Sequence, residues 1–239
     1  MQEKRSILVV DASASFIFYT AMMLKNLEYT VQSATTAEDA LSLIARSAPA
    51  VVITDTALPG TNGLELIKRI KNNDSLGFIP IIVHSSVADP EIKDDCMLAG
   101  CTAFFCKPAS PETLFHAIQA ATEATPRRHI RIRTSLRARV AAPAGEAASE
   151  RTEEATQLSE GGLYLKTLLP APVGAVLSLT LLMRNRDIRV HAKVLYVSQK
   201  AGGNEAPGMG MQFTDLDPED LAYLREFIRQ DVLSAMARD

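Results

Sequence analysis

The stretch VVITDTALPGTNGLELIKRI, residues 51–70, decides the fold of the first half of the chain. The apolar run at 50–54 predicts a strand that is buried on both faces. The turn-rich loop DTALPGTNG follows it and leads into a predicted helix. That helix carries apolar residues at helical spacing, namely Leu64, Ile67 and Ile70. Strand, loop and helix together predict one unit of a parallel α/β sheet.

The same alternation of strand and helix occurs five times before residue 123. Two of the predicted helices begin with a capping residue followed by proline, at Asp89-Pro90 and Ser110-Pro111. Five such units predict a doubly wound α/β domain with a five-stranded parallel sheet covered on both faces. The other four strands are predicted at 6–10, 29–33, 79–84 and 103–106.

The second half of the chain has a different pattern, in which strands dominate. The segment at 142–155, APAGEAASERTEEA, is low in large apolar residues and is predicted to be a long, mobile hairpin tip. Asp217-Pro218 begins an amphipathic helix. We therefore expect a small antiparallel β-barrel with a C-terminal helix. Its strands are predicted at 136–142, 162–169, 175–183, 188–198 and 208–214.

These patterns divide the chain into three parts. Residues 1–122 form the α/β domain, 123–135 an arginine-rich linker and the start of the second domain, and 136–239 the barrel with its helix. The stretch PRRHIRIRTSLRARV, residues 126–140, begins in the linker region and has six arginines and no acid, in a chain of net charge −3. Because this positive charge is local, it favours a specific anionic ligand over a nucleic-acid surface.

Composition also limits the class of protein. No secretory signature opens the chain and no run approaches the length of a membrane span, so we expect a cytoplasmic protein without a membrane span. The three cysteines are interpreted as reduced, small buried hydrophobic residues. They are Cys96, Cys101 and Cys106.

Four polar residues follow the strands of the predicted parallel sheet. Function in such sheets gathers at the carboxyl ends of the strands, so these side chains are expected at one rim. Two carboxylates can bind Mg²⁺, and one of them could attack phosphorus. A lysine and a hydroxyl would hold the phosphoryl oxygens. The four residues are Asp11, Asp55, Ser85 and Lys107.

Across residues 5–122 the chain resembles the receiver domain of two-component response regulators, which has a flavodoxin-like fold. The matching motifs are ILVVD, VVITDTALPGTNGLELIKRI, IPIIVHSS and FFCKP. The resemblance implies that Asp55 is the phosphoacceptor, that Ser85 and Lys107 sense the phosphate, and that Phe104 is a rotating aromatic switch. It also implies a Mg²⁺ site with Asp11, Asp55 and Ala57 as ligands, and a Lys107-Pro108 bond that is often cis.

One departure from the family pattern affects the metal site. Receivers usually carry two adjacent acids after the first strand, whereas this chain has Asp11-Ala12. Alanine cannot replace the carboxylate that binds Mg²⁺ directly, so metal affinity and phosphorylation should fall. The alternative is a receiver kept as a docking and dimerisation module in which Asp55 is never phosphorylated.

Residues 126–238 resemble the PilZ domain, a family of receptors for cyclic di-GMP. Arg127 and Arg131 match its R-x-x-x-R motif, and QLSEGG matches D/N-x-S-x-x-G through Gln157, Ser159 and Gly162. The closing GMGMQFTDLDPEDLAYLREFI is also similar. A guanidinium can bind phosphate or guanine with two hydrogen bonds. Gln157 departs from Asp or Asn, which could weaken binding. Arg128 flanks the first motif and is a further candidate for contact with the ligand.

The leading interpretation is a bacterial signalling adaptor that receives phosphorylation and cyclic di-GMP as inputs and acts through protein partners. Its expected partners are a histidine kinase, an unidentified protein and a second copy of the chain. The alternative is a degenerate scaffold that binds neither ligand. We find no helix-turn-helix pattern, which argues against DNA, and no grouping of catalytic residues, which argues against an enzyme. The sequence leaves the downstream partner and the oligomeric state open.

Overall fold

A computed structural model describes residues 5–124, 126–141, 150–198 and 206–234. The chain divides into two compact units. The first ends at Arg128, and the second runs from His129 to Asp231.

The first unit is the predicted parallel α/β domain. Its five described strands are all parallel, in the order β2-β1-β3-β4-β5, and they alternate with five helices. In chain order the elements are β1 (Ser6–Val10), α1 (Ala14–Asn26), β2 (Thr30–Ala34), α2 (Ala37–Ser47), β3 (Val51–Thr54), α3 (Gly63–Lys71), β4 (Ile81–Ser85), α4 (Pro90–Leu98), β5 (Ala103–Cys106) and α5 (Pro111–Thr122). The fold class and all five strands predicted from the sequence are therefore confirmed.

Buried strands and capped helices explain why this part of the sequence adopts this fold. All residues of β3 and β4 are buried, as expected for strands covered on both faces. Each helix begins at a residue whose side chain accepts a hydrogen bond from the backbone of the first turn. These N-cap residues are Ser13, Thr36, Asn62, Asp89 and Ser110.

The second unit is the predicted antiparallel barrel. Its six described strands close in the order β10-β11-β8-β7-β6-β9. The helix α6 follows, with Leu224 and Ile228 buried as its apolar pattern predicts. The elements are β6 (Ile132–Val140), β7 (Arg151–Ser159), β8 (Gly162–Lys166), β9 (Val176–Leu182), β10 (Asp187–Ser198), β11 (Gly208–Phe213) and α6 (Pro218–Ser234).

The strand β7 corrects the sequence prediction for residues 142–155. Residues 151–155 lie in a strand that pairs with both β6 and β8, so the predicted hairpin tip is wrong for this part. The inward positions of β7 are Ala155 and Leu158, and the small alanine gave little apolar signal among charged neighbours. Residues 142–149 lie outside the described residues. The strand β6 also begins earlier than predicted, at Ile132.

The cysteines agree only in part with their interpretation as buried hydrophobic residues. Cys96 and Cys101 are buried, and burial raises the pKa of both thiols. Cys106 is exposed at the end of β5, so the prediction is wrong for that residue. Within the described ranges, no helix has the length and apolar character needed to cross a membrane.

Gly162 at the start of β8 is the basis of a prediction about barrel stability. A Cβ at this position would lie 2.0 Å from the carbonyl oxygen of Met211, a backbone atom of the paired strand β11. We expect Gly162→Ala to destabilise the barrel by about 2 to 3 kcal/mol, the cost of overpacking against a rigid neighbour. Urea denaturation measures the change in the free energy of unfolding, and amide exchange in β8 reports the unfolding of the barrel.

The adjacent Gly161→Ala is the matched control. Its Cβ would meet only the ring of the His129 side chain, at 3.1 Å, and this ring can shift. We expect a loss below about 1 kcal/mol. Equal losses for the two variants would contradict the prediction.

Candidate functional site

The rim of the parallel sheet brings two carboxylates and an ammonium into contact. Register places Val10 beside Thr54, so Asp11 and Asp55 follow neighbouring strands and meet at one edge. Both are almost fully buried. The Nζ atom of Lys107 donates to Oδ2 of Asp55 at 2.6 Å and also to Oδ2 of Asp11. The sequence prediction that these three residues lie together at the rim is therefore confirmed.

Asp55 is surrounded by donors that stabilise its ionised form. The backbone N–H of Ala57 donates to its Oδ1 at 3.1 Å, and the Thr56 hydroxyl lies 3.4 Å from the same atom. Burial by itself would raise the pKa of Asp55, but hydrogen bonds from Lys107, Ala57 and Ser85 outweigh burial and hold this pKa below its usual value. Asp55 is therefore a carboxylate at neutral pH, which is the form that a nucleophile requires.

Ser85 ends β4 next to this carboxylate, as predicted. It is fully buried, and its Oγ accepts the backbone N–H of Val87 at 3.1 Å. The hydroxyls of Ser85 and Thr56 share a hydrogen bond of 2.5 Å. Thr56 was not singled out from the sequence, because a hydroxyl in a turn-rich loop carries no pattern that marks it.

Two further residues that the sequence reasoning missed hold Lys107 and its loop in place. The Phe16 ring lies under the ammonium of Lys107, with Nζ 3.9 Å from the ring centroid, a cation–π contact. The His84 ring meets Phe16 edge-on at 5.1 Å between centroids, and its Nε2 accepts the backbone N–H of Ala109 at 3.1 Å. The intervening Lys107-Pro108 peptide is cis, as the resemblance implies.

His84 is neutral in the folded chain. Burial and the nearby ammonium of Lys107 lower its pKa from 6.5 to about 4. Since Nε2 accepts a hydrogen bond, the proton of the neutral ring lies on Nδ1. Among the described residues this buried Nδ1 has no hydrogen-bond partner. Protonating the ring would remove the acceptor for Ala109 and charge a buried group.

The residues at the rim fit a Mg²⁺ ion in the kind of donor they offer. Asp11 and Asp55 supply carboxylates, Ala57 can contribute only its backbone carbonyl, and Ala12 contributes no side-chain donor. Mg²⁺ in proteins is commonly held by one or two carboxylates, with water and phosphate oxygens completing its octahedron. Within the described ranges no group of three or more His, Cys, Asp or Glu residues is suited to a metal ion. The predicted Mg²⁺ ligands therefore include only two carboxylates, those of Asp11 and Asp55.

Phe104 lies on β5 beside Val83 of β4. Its ring is half-buried and packs against the hydrophobic core of the first unit. The role of Phe104 as a rotating aromatic switch therefore stays a prediction.

The residues of the second predicted site fall in both compact units. Arg127 and Arg128 end the first unit, whereas Arg131 belongs to the second, and all three side chains are exposed. On the barrel, Gln157 lies in β7 opposite Arg133 of β6 and Tyr164 of β8. The three arginines are therefore accessible to an anion.

Ser159 and Gly162 have contacts inside the barrel that the sequence did not predict. Ser159 is 8% exposed, and its hydroxyl donates to the carbonyl oxygen of Gly162 at 3.1 Å, closing the β7–β8 hairpin. Gly162 in turn leaves room for the carbonyl of Met211. Both motif residues thus stabilise the barrel whether or not a ligand is bound.

Glu160 lies between these two motif residues in the hairpin turn. Its Oε2 accepts from Nε of Arg225 on α6 at 2.7 Å and lies 3.7 Å from Nδ1 of His129. This acid therefore contributes negative charge beside the predicted ligand motif and ties the hairpin to the helix. No sequence pattern distinguishes Glu160, because a glutamate in a turn is common.

Comparison with protein families matches both halves of the chain. The model of the response regulator receiver domain matches residues 7–119, and the model of the PilZ domain matches residues 125–230.

Individual relatives match the first half. The chain is 34% identical over 113 residues to the two-component response regulator ORR6 of rice, covering 46% of this chain and 66% of that protein. It is 29% identical over 121 residues to the phosphate regulon transcriptional regulatory protein PhoB of Pseudomonas aeruginosa, covering 51% and 53%. The chain thus spans less than two thirds of either relative. The chemotaxis response regulator CheY4 of Vibrio cholerae has a solved structure with a TM-score of 0.47 and 28% identity, covering 49% of this chain and 98% of that one.

The buried His84 predicts how stability depends on pH. Because the folded pKa is about 4 and the ordinary value 6.5, the unfolded chain takes up a proton as the pH falls through this range while the folded chain does not. We therefore expect the free energy of unfolding to decrease by at most about 3 kcal/mol as the pH falls from 6.5 to 4. Urea denaturation at a series of pH values measures it.

His84→Gln removes the titrating ring and keeps an oxygen that can accept from Ala109. This variant should lose much less stability over the same pH range. The control is His116→Gln, since His116 is exposed on α5 and its replacement should leave the native profile unchanged. A profile for His84→Gln as steep as the native one would contradict the assignment.

Proposed function

The chain belongs to the response regulator receiver family over residues 7–119 and to the PilZ family over residues 125–230, and from this pairing we propose a signalling adaptor with two inputs. Asp55 accepts a phosphoryl group, and the PilZ domain binds cyclic di-GMP. The observation that carries the phosphorylation half of the proposal is the contact of Lys107 with the buried carboxylates of Asp55 and Asp11, and the PilZ match supports the other half.

The phosphoryl transfer proposed for Asp55 uses groups already at the rim. An Oδ atom of Asp55 forms a bond to phosphorus while the bond from phosphorus to the donor's leaving group breaks, and the electron pair departs with that group. Lys107 and the Ser85 hydroxyl hold the phosphoryl oxygens. A Mg²⁺ ion held by Asp11, Asp55 and the carbonyl of Ala57 would neutralise part of the phosphoryl charge. The donor proposed is the phosphohistidine of a histidine kinase.

Cyclic di-GMP binding is proposed for the exposed arginines and the barrel motif. The ligand offers two phosphates and two guanines, and Arg127 and Arg131 can bind either kind of group with paired hydrogen bonds. Arg128 adds charge beside them. On the barrel, the proposed contacts come from Gln157, Ser159 and the backbone at Gly162. Phosphorylation and cyclic di-GMP would each change the populations of the chain's conformations, and an unidentified protein partner would bind one of these conformations more strongly.

A second candidate function is favoured by the chain's departures from both families. Ala12 removes one carboxylate from the metal set, and Gln157 replaces the shorter Asp or Asn. A chain that binds neither Mg²⁺ nor cyclic di-GMP would serve as a scaffold for protein partners. The two candidates differ in whether the sites take ligands, so direct binding measurements separate them.

Phosphorylation is tested with acetyl phosphate and Mg²⁺, followed by phosphate-affinity electrophoresis. We expect labelling of the native chain and none of Asp55→Asn, which lacks the nucleophile. Ala12→Asp should lower the Mg²⁺ concentration needed by about tenfold or more, since even partners outside the metal shell contribute that much. No labelling of either the native chain or Ala12→Asp would contradict the proposal and favour the scaffold.

Cyclic di-GMP binding is tested by isothermal titration calorimetry of the full chain. We expect saturable binding that weakens by about 100-fold or more in Arg127→Ala/Arg131→Ala, because two charge-assisted contacts are lost. The matched control, Arg137→Ala/Arg189→Ala, removes two exposed arginines from the barrel and should bind like the native chain. Gln157→Asn should bind at least as tightly. Equal affinity of the two arginine pairs, or no binding by the native chain, would contradict the proposal.

A further inference from the structure

Gln119 is a buried amide on the inner face of α5. The residue is 3% exposed and lies on the helix face that buries Leu114, Phe115 and Ile118. Burying an amide costs free energy unless its polar atoms are hydrogen-bonded, and a leucine would fill the same position without that cost. The contacts of Gln119 therefore indicate what the amide does there.

Both ends of this amide bond to other parts of the first unit. Its Nε2 donates to the hydroxyl of Tyr29 at 2.9 Å, and its Oε1 accepts the backbone N–H of Arg127 at 3.2 Å. A backbone N–H can only donate, so the orientation of the amide is fixed by Arg127. Tyr29 is itself buried, at the entrance to β2. Gln119 thus connects α5, the start of β2 and the arginine-rich segment.

The chain that leaves α5 is held at a second point by Arg5. The guanidinium of Arg5 donates to the carbonyl of Thr122 at 2.8 Å and pairs with Glu123 at 2.8 Å. These contacts fix the end of the helix, while Gln119 fixes the backbone five residues after it. The side chain of Arg127 stays exposed. The backbone of Arg127 is therefore anchored while its guanidinium is accessible.

We propose that Gln119 is a positioning residue for ligand binding. Its hydrogen bond fixes the backbone of Arg127, and through this bond the receiver domain affects how strongly the arginine-rich linker binds the ligand. This inference rests on the proposed role of Arg127 in binding cyclic di-GMP. Binding to an ordered segment costs less conformational entropy than binding to a mobile one, so the anchor raises affinity. Any rearrangement of α5 alters the hold on Arg127 and hence the affinity.

The anchor is tested first without ligand, by amide hydrogen exchange at Arg127 in the full chain. Gln119→Leu keeps an apolar, helix-forming residue but removes the acceptor. We expect exchange at Arg127 to become about twofold to tenfold faster, as for the loss of one hydrogen bond, with exchange at Ile118 unchanged. Gln119→Glu is the conservative variant, because a carboxylate oxygen still accepts from Arg127 and the other can accept from Tyr29. It should restore slow exchange.

The second measurement is calorimetric titration of the same variants with cyclic di-GMP. Gln119→Leu should bind about twofold to tenfold more weakly than the native chain, and Gln119→Glu close to the native value. The control is Tyr29→Phe, which removes the other contact of Gln119 and leaves an acceptor for Arg127. It should change affinity less than Gln119→Leu. Thermal unfolding checks that each variant folds.

The outcomes separate this inference from the proposed function. Unchanged exchange at Arg127 in Gln119→Leu overturns the anchor, whatever the ligand does. Faster exchange with unchanged affinity overturns the positioning role and leaves cyclic di-GMP binding intact. If the native chain binds no cyclic di-GMP, the proposed function fails and the positioning role fails with it, while the exchange result still decides the anchor.

Discussion

The first domain depends on one electrostatic constraint, the burial of two carboxylates at the same edge of its sheet. Asp11 and Asp55 would repel each other in an environment with little water, so a cation has to lie between them. Lys107 supplies it from the loop after β5, and this loop is in turn held by Phe16 and His84. In the proposed phosphoryl transfer, the same ammonium and the neighbouring Ser85 hydroxyl would contact the incoming phosphoryl oxygens.

Much of this fold could be predicted from the sequence because its parallel strands are continuous apolar runs. The rim residues followed from the rule that the ends of such strands meet, which is how Asp55 and Lys107 were found. The first half of strand β7 could not be predicted in the same way, since its one buried side chain, Ala155, is small and its neighbours are charged or polar. Phe16 and His84 were missed for another reason: their contacts depend on how a helix, a strand and the loop after β5, which are distant in the chain, approach one another.

Gln119 shows a further limit of pattern reasoning. A glutamine near the end of an amphipathic helix is expected at the surface. Only the structure shows that Gln119 is buried and bonded to Tyr29 and Arg127. Such a group contributes little to the net free energy of folding, because its hydrogen bonds mostly repay the cost of removing it from water. Its value is specificity: it gives the chain leaving the receiver domain one defined path.

The contacts of Ser159 and Gly162 have a consequence for how the ligand motif evolves. One residue closes a hairpin and the other makes space for a neighbouring strand, so selection for a stable barrel would retain both after the ligand is lost. The side chains of Arg127 and Arg131 are exposed, so the stability of the barrel constrains these two positions less. The buried half of the predicted binding motif can therefore be retained by the fold alone, whereas retention of the exposed half would depend on the proposed ligand.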